Sequence, residues 1–400
     1  MRSPRTNPFQ PGWGKPLVWA GRRHAVEEFT DIVLPRVAEG VKEVPRLIQD
    51  ERGMGKTALL EVLRDEADDR GCVVALATAV RGENFTKALA RALDAQLAAH
   101  SLAGRVADTV RRSLSRLAGA ELGPVGVDLV AADDSDVAST VLHRTLVDVA
   151  MAAREAGTQL VVLLDEVQNV DAPHLAVVFT ALQKAAEHTV SVAHPAGGAL
   201  RLALPLTVWA AGLPGSLARF KQAGVTFGER CELAGLGPLD ERDVREVLVT
   251  FDKRNDAGVV FDADAIDLFV AQVRGYPYAF QLLGKATWDA GTGAVVTAEE
   301  VAAGADAIVV PMRQRYAARI DGLTQEQVAY LQAVASLPPE QRTPTATCRR
   351  YRNDDSVAAS RCGGMTQRLV DDHQVLRMGA DGRFQLCLPG MDDYLRDLIR

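Results

Sequence analysis

Four hundred residues exceed what one ordinary core holds and imply two or three domains. With 48% hydrophobic and 24% charged residues the proportions are globular, which excludes long disorder, and a formal net charge of -7 excludes a surface coated with basic groups for indiscriminate nucleic-acid binding. Aromatics are scarce at 5%, so the expected core is aliphatic helices packed on a sheet.

In chain order, residues 1–16 read as an extended, proline- and glycine-rich arm that packs on the domain after it. A helical pattern runs through Val26, Phe29, Ile32 and Val33, and the short apolar run Arg46-Leu47-Ile48 precedes a glycine loop. An amphipathic helix from Lys56 to about Arg70 follows, then a valine-rich strand over 72–80 and helices over 84–99 and 104–117. Residues 120–132 read as a small β excursion, and 137–156 as a helix. Gln159–Leu164 is a wholly apolar strand ending in Asp165-Glu166, followed by a helix at 173–187 and a second apolar strand over 204–211. Strands alternating with helices imply a parallel sheet covered on both faces. From about Leu236 helical patterns recur at 240–252, 263–273, 277–289 and 298–315 with no strand between them. Beyond Asp321, a helix at 324–336, two shorter ones and a hairpin (374–378 and 383–388) outline a winged helix-turn-helix.

The chemistry is concentrated in the glycine loop Arg52-Gly53-Met54-Gly55-Lys56-Thr57, continuing into Ala58. Gly53 and Gly55 let the backbone turn so that several N–H groups converge on phosphates at a helix N-terminus. Lys56 supplies a point charge to the β- and γ-phosphates, and the Thr57 hydroxyl is a magnesium ligand. Asp50 stands where the usual pattern has its first glycine, which puts a carboxylate near a polyanion unless it points away. At the end of the buried strand, Asp165 would hold magnesium and Glu166 would polarise the attacking water. Gln168 either holds water or a γ-phosphate contact, or is an exposed loop glutamine.

Five dispersed cysteines (Cys72, Cys231, Cys348, Cys362, Cys387) read as buried thiols of a reducing compartment, not a disulfide frame or zinc site. Without a signal-peptide-like run at the N-terminus or an apolar run long enough to span a bilayer, the expected location is cytoplasmic, without membrane contact.

These motifs resemble the AAA+-related ATPases common in actinobacteria, which are similar to origin-recognition initiators and to archaeal and STAND ATPases. The likeness runs through nearly the whole chain. It is carried by Asn7-Pro8-Phe9-Gln10-Pro11-Gly12 with Ala20-Gly21-Arg22, by Leu213-Pro214-Gly215, by Gly275-Tyr276-Pro277-Tyr278, and by Leu388 to Leu395. The resemblance implies that Gly21 and Arg22 lie against the adenine and that Pro277, in the lid, touches the nucleotide. It also implies three modules: a P-loop (ASCE/AAA+-like) α/β domain over 17–235, a helical lid over 236–320 and a C-terminal winged helix over 321–400. Two departures stand out. The run 275–281 has no arginine, and the strand 204–211 ends in Ala210, Ala211 and Gly212, which cannot sense a γ-phosphate. Turnover is therefore expected to be slow; Arg219 and Arg230 are candidate arginine fingers, with plain surface arginines as the alternative.

The leading expectation is an ATPase switch using ATP and Mg2+, with Lys56 and Glu166 as its catalytic residues. The alternatives are a nucleotide-gated factor that contacts duplex DNA through Arg349, Arg350, Arg352, Arg361 and Arg368, or a STAND-like scaffold whose winged helix meets protein and which self-associates with nucleotide.

Overall fold

The computed structural model describes residues 2–12, 14–100, 135–193, 198–255, 258–379 and 381–398. The helix expected at 104–117 and the β excursion at 120–132 lie outside them. The chain forms two compact units, Arg22–Leu236 and a second made of Met1–Gly21 with Gly237–Arg400.

Unit Arg22–Leu236 is built on five parallel strands: β1 (Arg46–Gln49), β2 (Val73–Thr78), β3 (Leu160–Asp165), β6 (Leu206–Gly212) and β7 (Glu232–Ala234), in the order β2-β3-β6-β1-β7. β3 and β6 are buried at every position, as central strands covered on both faces must be. Their side chains alternate between two cores. Val73, Ala75, Val162, Leu164, Val208 and Ala210 pack with α4 (Phe85–Ala99), α5 (Ser135–Glu155) and α6 (Ala172–Glu187). Val74, Val161, Leu163, Trp209 and Ala211 pack against α3 (Lys56–Asp69) and the early helix. That early helix has three parts, α1 (Arg23–Glu27), a π segment (Glu28–Val33) and α2 (Leu34–Ala38), and Phe29 from it meets Trp209 edge to face. Between α6 and β6 lies an antiparallel pair, β4 (Thr189–Ala193) and β5 (Ala199–Ala203), which the apolar pattern had not indicated. Much of it is exposed, so it lacks an apolar stripe to announce it.

In the other unit, α8 (Glu241–Val249), α9 (Phe251–Asn255), α10 (Ala263–Val273), α11 (Pro277–Ala290) and α12 (Ala298–Ile320) form a helical lid. It is not free of strands as expected: β8 (Val260–Phe261) and β9 (Val295–Val296) pair in parallel, two residues each, a length below what periodicity can register. The N-terminal arm packs here instead of on the α/β domain that follows it in sequence. Phe9 stacks on Phe251 and meets Phe280 edge to face, and it lies so close under Gly284 that a Cβ there would sit 2.2 Å from its ring. Arg2, with a fully buried side chain, donates to the carbonyls of Gly293 and Val295 and to both carboxylate oxygens of Glu300 at 2.6 Å.

Next come α13 (Gln325–Ser336), α14 (Pro344–Arg352), a run of short helical turns from Ala359 to Asp372 that includes α15 (Gly363–Gln367), the antiparallel pair β10 (Leu376–Met378) and β11 (Phe384–Leu386), and α16 (Met391–Asp397). Cys348 on α14 and Cys362, both buried, form a disulfide across Cα atoms 5.8 Å apart. The reading of all five cysteines as thiols is corrected for this pair. Fourteen residues separate them, and only the return of the chain against α14 brings them together. Cys72, Cys231 and Cys387 are free. No helix among the described residues is long and apolar enough to cross a membrane.

Candidate functional site

Three parallel strands of unit Arg22–Leu236 end side by side, and the residues just past their carboxyl ends form the site, where ligands of open α/β sheets bind. β1 runs into the loop 50–55. Gly53 and Gly55 adopt left-handed φ values of +83° and +90°, which only glycine takes without strain. A Cβ on Gly55 would meet nothing within 4 Å, so this glycine serves the backbone turn and the space beside it is open. The loop then opens α3, aiming its first N–H groups outward as an anion cradle.

Lys56, the first residue of α3, is buried, and its Nζ donates to the carbonyls of Asp50 (2.6 Å) and Glu51 (2.9 Å). Burial pushes its pKa below the ordinary lysine value, against the opposing pull of the Glu166, Asp50, Asp165 and Glu51 carboxylates. Thr57 Oγ1 donates to Asp165 Oδ2 at 2.7 Å, joining the helix after β1 to the end of β3. The other oxygen of Asp165 accepts the Glu166 N–H at 2.8 Å. Burial raises the Asp165 carboxyl above its usual range; the Thr57 hydrogen bond opposes this and the Glu166 charge adds to it. Glu166 sits at a left-handed φ of +55° and accepts a hydrogen bond from the Gln168 amide.

Met54 is buried and Arg52 exposed, with Ala58 half-buried in the first turn of α3. The Met54 carbonyl accepts from Arg22 at 3.1 Å, and a second arm of the same guanidinium donates to the Leu236 carbonyl. Backbone N–H groups hold both oxygens of the Asp50 carboxylate. One carboxylate oxygen accepts the Glu51 N–H (2.8 Å) and the other the Leu236 N–H (3.1 Å). Both backbone groups of Leu236, the last residue of this unit, are thus held beside the loop.

Arg22, Arg52–Ala58, Asp165 and Glu166 therefore share one unit, whereas Gly21 and Pro277 belong to the other. Gly21 there has a φ of +73°, with Leu239 2.9 Å from where its Cβ would be, and Pro277 opens α11. The lid run without arginine receives one from α12: Arg315 lies over the Tyr278 ring at 4.1 Å and donates to the Tyr276 hydroxyl. No local pattern could place it there from nearly forty residues on. Of the finger candidates, Arg219 donates to the carbonyls of Gln168 and Val170, and Arg230 pairs with Glu187 at the surface. Among the described residues, no three His, Cys, Asp or Glu side chains cluster as a metal site. The Thr57–Asp165 pair is the kind of sparse set magnesium uses when phosphates and water complete its shell.

The fold is an α/β P-loop AAA-like fold, with a parallel five-stranded sheet and a helical lid. Residues 18–193 match the family model described as AAA ATPase domain. The chain is similar to the ORC2 protein of Aeropyrum pernix in its ADPNP-ADP complexes, with 14% identity and a TM-score of 0.56 over 99% of this chain and 98% of that one. It is also similar to a Walker-type ATPase of Pyrococcus abyssi, with 14% identity and a TM-score of 0.54 over 91% and 94% of the two chains. At such identities the likeness is one of fold. No curated protein matches the chain.

Proposed function

We propose that this chain binds ATP with magnesium and hydrolyses it slowly, as a nucleotide-dependent switch. The observation that carries this reading is the Thr57–Asp165 hydrogen bond of 2.7 Å beside a buried Lys56, at the open end of a glycine loop. Arg52 to Ala58 would cradle the phosphates, Lys56 would leave the loop carbonyls for them, and Thr57 and Asp165 would hold the metal. Bound magnesium would neutralise phosphate charge. Glu166 takes the proton of the attacking water, and Gly21, Arg22 and Pro277 contact the nucleotide as the family resemblance implies. The similar fold of a protein described with ADPNP and ADP supports the same assignment. Lys56→Ala removes the one cation buried in the cradle, so ATP affinity should fall about a hundredfold or more, as expected when a buried charge-assisted contact is lost. Titration calorimetry showing unchanged affinity would sink the reading.

Residues 321–400 are proposed to act as a winged helix in the cytoplasm, presenting nucleotide state to a partner. Duplex DNA is favoured over protein by one observation: Arg349, Arg350, Arg352, Arg361 and Arg368 are all exposed within a short stretch. Association with a DNA duplex should then weaken steeply as salt rises. Absent or salt-independent association would instead favour a protein partner or ATP-driven self-association, which light scattering would detect.

A further inference from the structure

Glu166 is held by more than its own strand. β6 ends in Ala210, Ala211 and Gly212, without a polar side chain, and the space over Gly212 is already filled. A Cβ there would lie 2.3 Å from Ser216 Oγ, 2.8 Å from a Val167 methyl and 3.3 Å from Gln168 Oε1. The Gln168 amide thus lies over the end of β6. Its oxygen accepts the Leu213 N–H at 2.9 Å, and its nitrogen donates to Glu166 Oε2. A backbone N–H can only donate, so the amide oxygen must face Leu213 and the NH2 must face the carboxylate. The reversed amide would set two donors against each other at one end and two acceptors at the other.

The turn that carries this amide is tied down from both sides. Arg219 on α7 (Ser216–Gln222) donates to the carbonyls of Gln168 and Val170. Asn169 donates its side-chain amide to the Ala79 carbonyl (3.1 Å), just past β2, and its N–H to the Glu166 carbonyl (2.8 Å). Side-chain and backbone bonds therefore fix Gln168 across the ends of β2, β3 and β6. Glu166, by contrast, is a long side chain on a left-handed residue, and Gln168 is the side-chain donor that selects its orientation.

We propose that Gln168 is the positioning residue for Glu166 in ATP hydrolysis, bringing from the 3-10 turn after β3 the polar group that the end of β6 lacks. The inference rests on Glu166 acting as the general base. Gln168 acts through that carboxylate and not on the phosphates, so its loss lowers turnover and leaves nucleotide binding alone. Gln168→Glu keeps an acceptor for the Leu213 N–H but replaces the donor to Glu166 with a second acceptor, so it should fail like Gln168→Ala.

The test compares wild type, Gln168→Ala, Gln168→Glu, Glu166→Gln and the Gln168→Ala/Glu166→Gln double variant. Steady-state turnover, affinity for a fluorescent ATP analogue and the thermal midpoint are measured for each. Both Gln168 variants should lose about tenfold or more in kcat, a fraction of what a general base contributes. Analogue affinity should stay within about twofold, well under the tenfold that one hydrogen bond's worth of binding energy represents. In the Glu166→Gln background the Gln168→Ala change should have no further effect. Wild-type turnover in Gln168→Ala, or an equal loss in both backgrounds, would overturn this inference while leaving the Glu166 assignment standing. A loss of affinity parallel to the loss of kcat would overturn it too, by making Gln168 a binding or structural residue. A wild type that binds ATP without turnover would overturn both readings.

Discussion

Asp165 shows the cost of keeping a charged group ready beneath a sheet end. It is almost fully buried, and burial holds its carboxyl above the ordinary value of 3.8. A carboxyl with a raised folded pKa binds protons more readily folded than unfolded, so its ionised form destabilises the fold above that pKa. The penalty disappears as pH falls through the folded pKa towards 3.8, the unfolded value. Asp165→Asn keeps an acceptor for the Glu166 N–H and removes the buried charge. At neutral pH its nucleotide-free form should melt a few degrees higher than wild type, with the gain shrinking on acidification. A midpoint that is equal or lower across that range, read by differential scanning calorimetry, would contradict the account. Asp50 is the opposite case: its carboxylate is matched by two backbone N–H groups, so this departure from the usual glycine is accommodated structurally. Its position was plain in the sequence, but its partners were not, because the second, Leu236, lies 186 residues away.

At the scale of elements, the N-terminal arm is anchored by the buried Arg2. Arg2 is buried in the other half of the chain's sequence, against Glu300 and the carbonyls between α11 and α12. Arg2→Ala leaves Glu300 with only the Thr297 N–H as donor among the described residues and takes the guanidinium from those carbonyls, and breaking a buried pair from one side costs about 3–5 kcal/mol. Chemical denaturation should show that loss in the unit formed by Met1–Gly21 and Gly237–Arg400; a change below about 1 kcal/mol, the range of surface pairs, would show that the pair is not anchoring the arm. The elements with strong local signals were legible in advance. Apolar β3 and β6, the Lys56 helix, and the lid helices α10 to α12 follow the runs and periodicities closely. What escaped has little local signal or depends on distant partners. The exposed β4–β5 pair, two-residue β8 and β9, and three-residue β7 have too few buried positions to show a period. The Cys348–Cys362 bond and the docking of Phe9 under Gly284 exist only once the chain has folded back.

For the whole molecule, the candidate site was readable because its parts are short motifs tied to strand ends: Arg52 to Ala58 after β1, and Asp165-Glu166 after β3. The supports around them were less readable. Gln168 and Arg219 matter through the ends of neighbouring strands, and Arg22 through the backbone of Leu236 where this unit closes. That Leu236 has both its N–H and its carbonyl bound beside the phosphate-binding loop gives the proposed switch a physical starting point. The most direct measurement of the central claim is ATP hydrolysis by the purified protein, wild type beside Glu166→Gln, with nucleotide affinity determined on both. The account predicts slow, steady turnover in the wild type, its loss by at least about a hundredfold in Glu166→Gln, the low end of what a general base contributes, and affinity retained in both. Equal turnover in the two proteins, or ATP bound tightly by the wild type with no turnover at all, would contradict it.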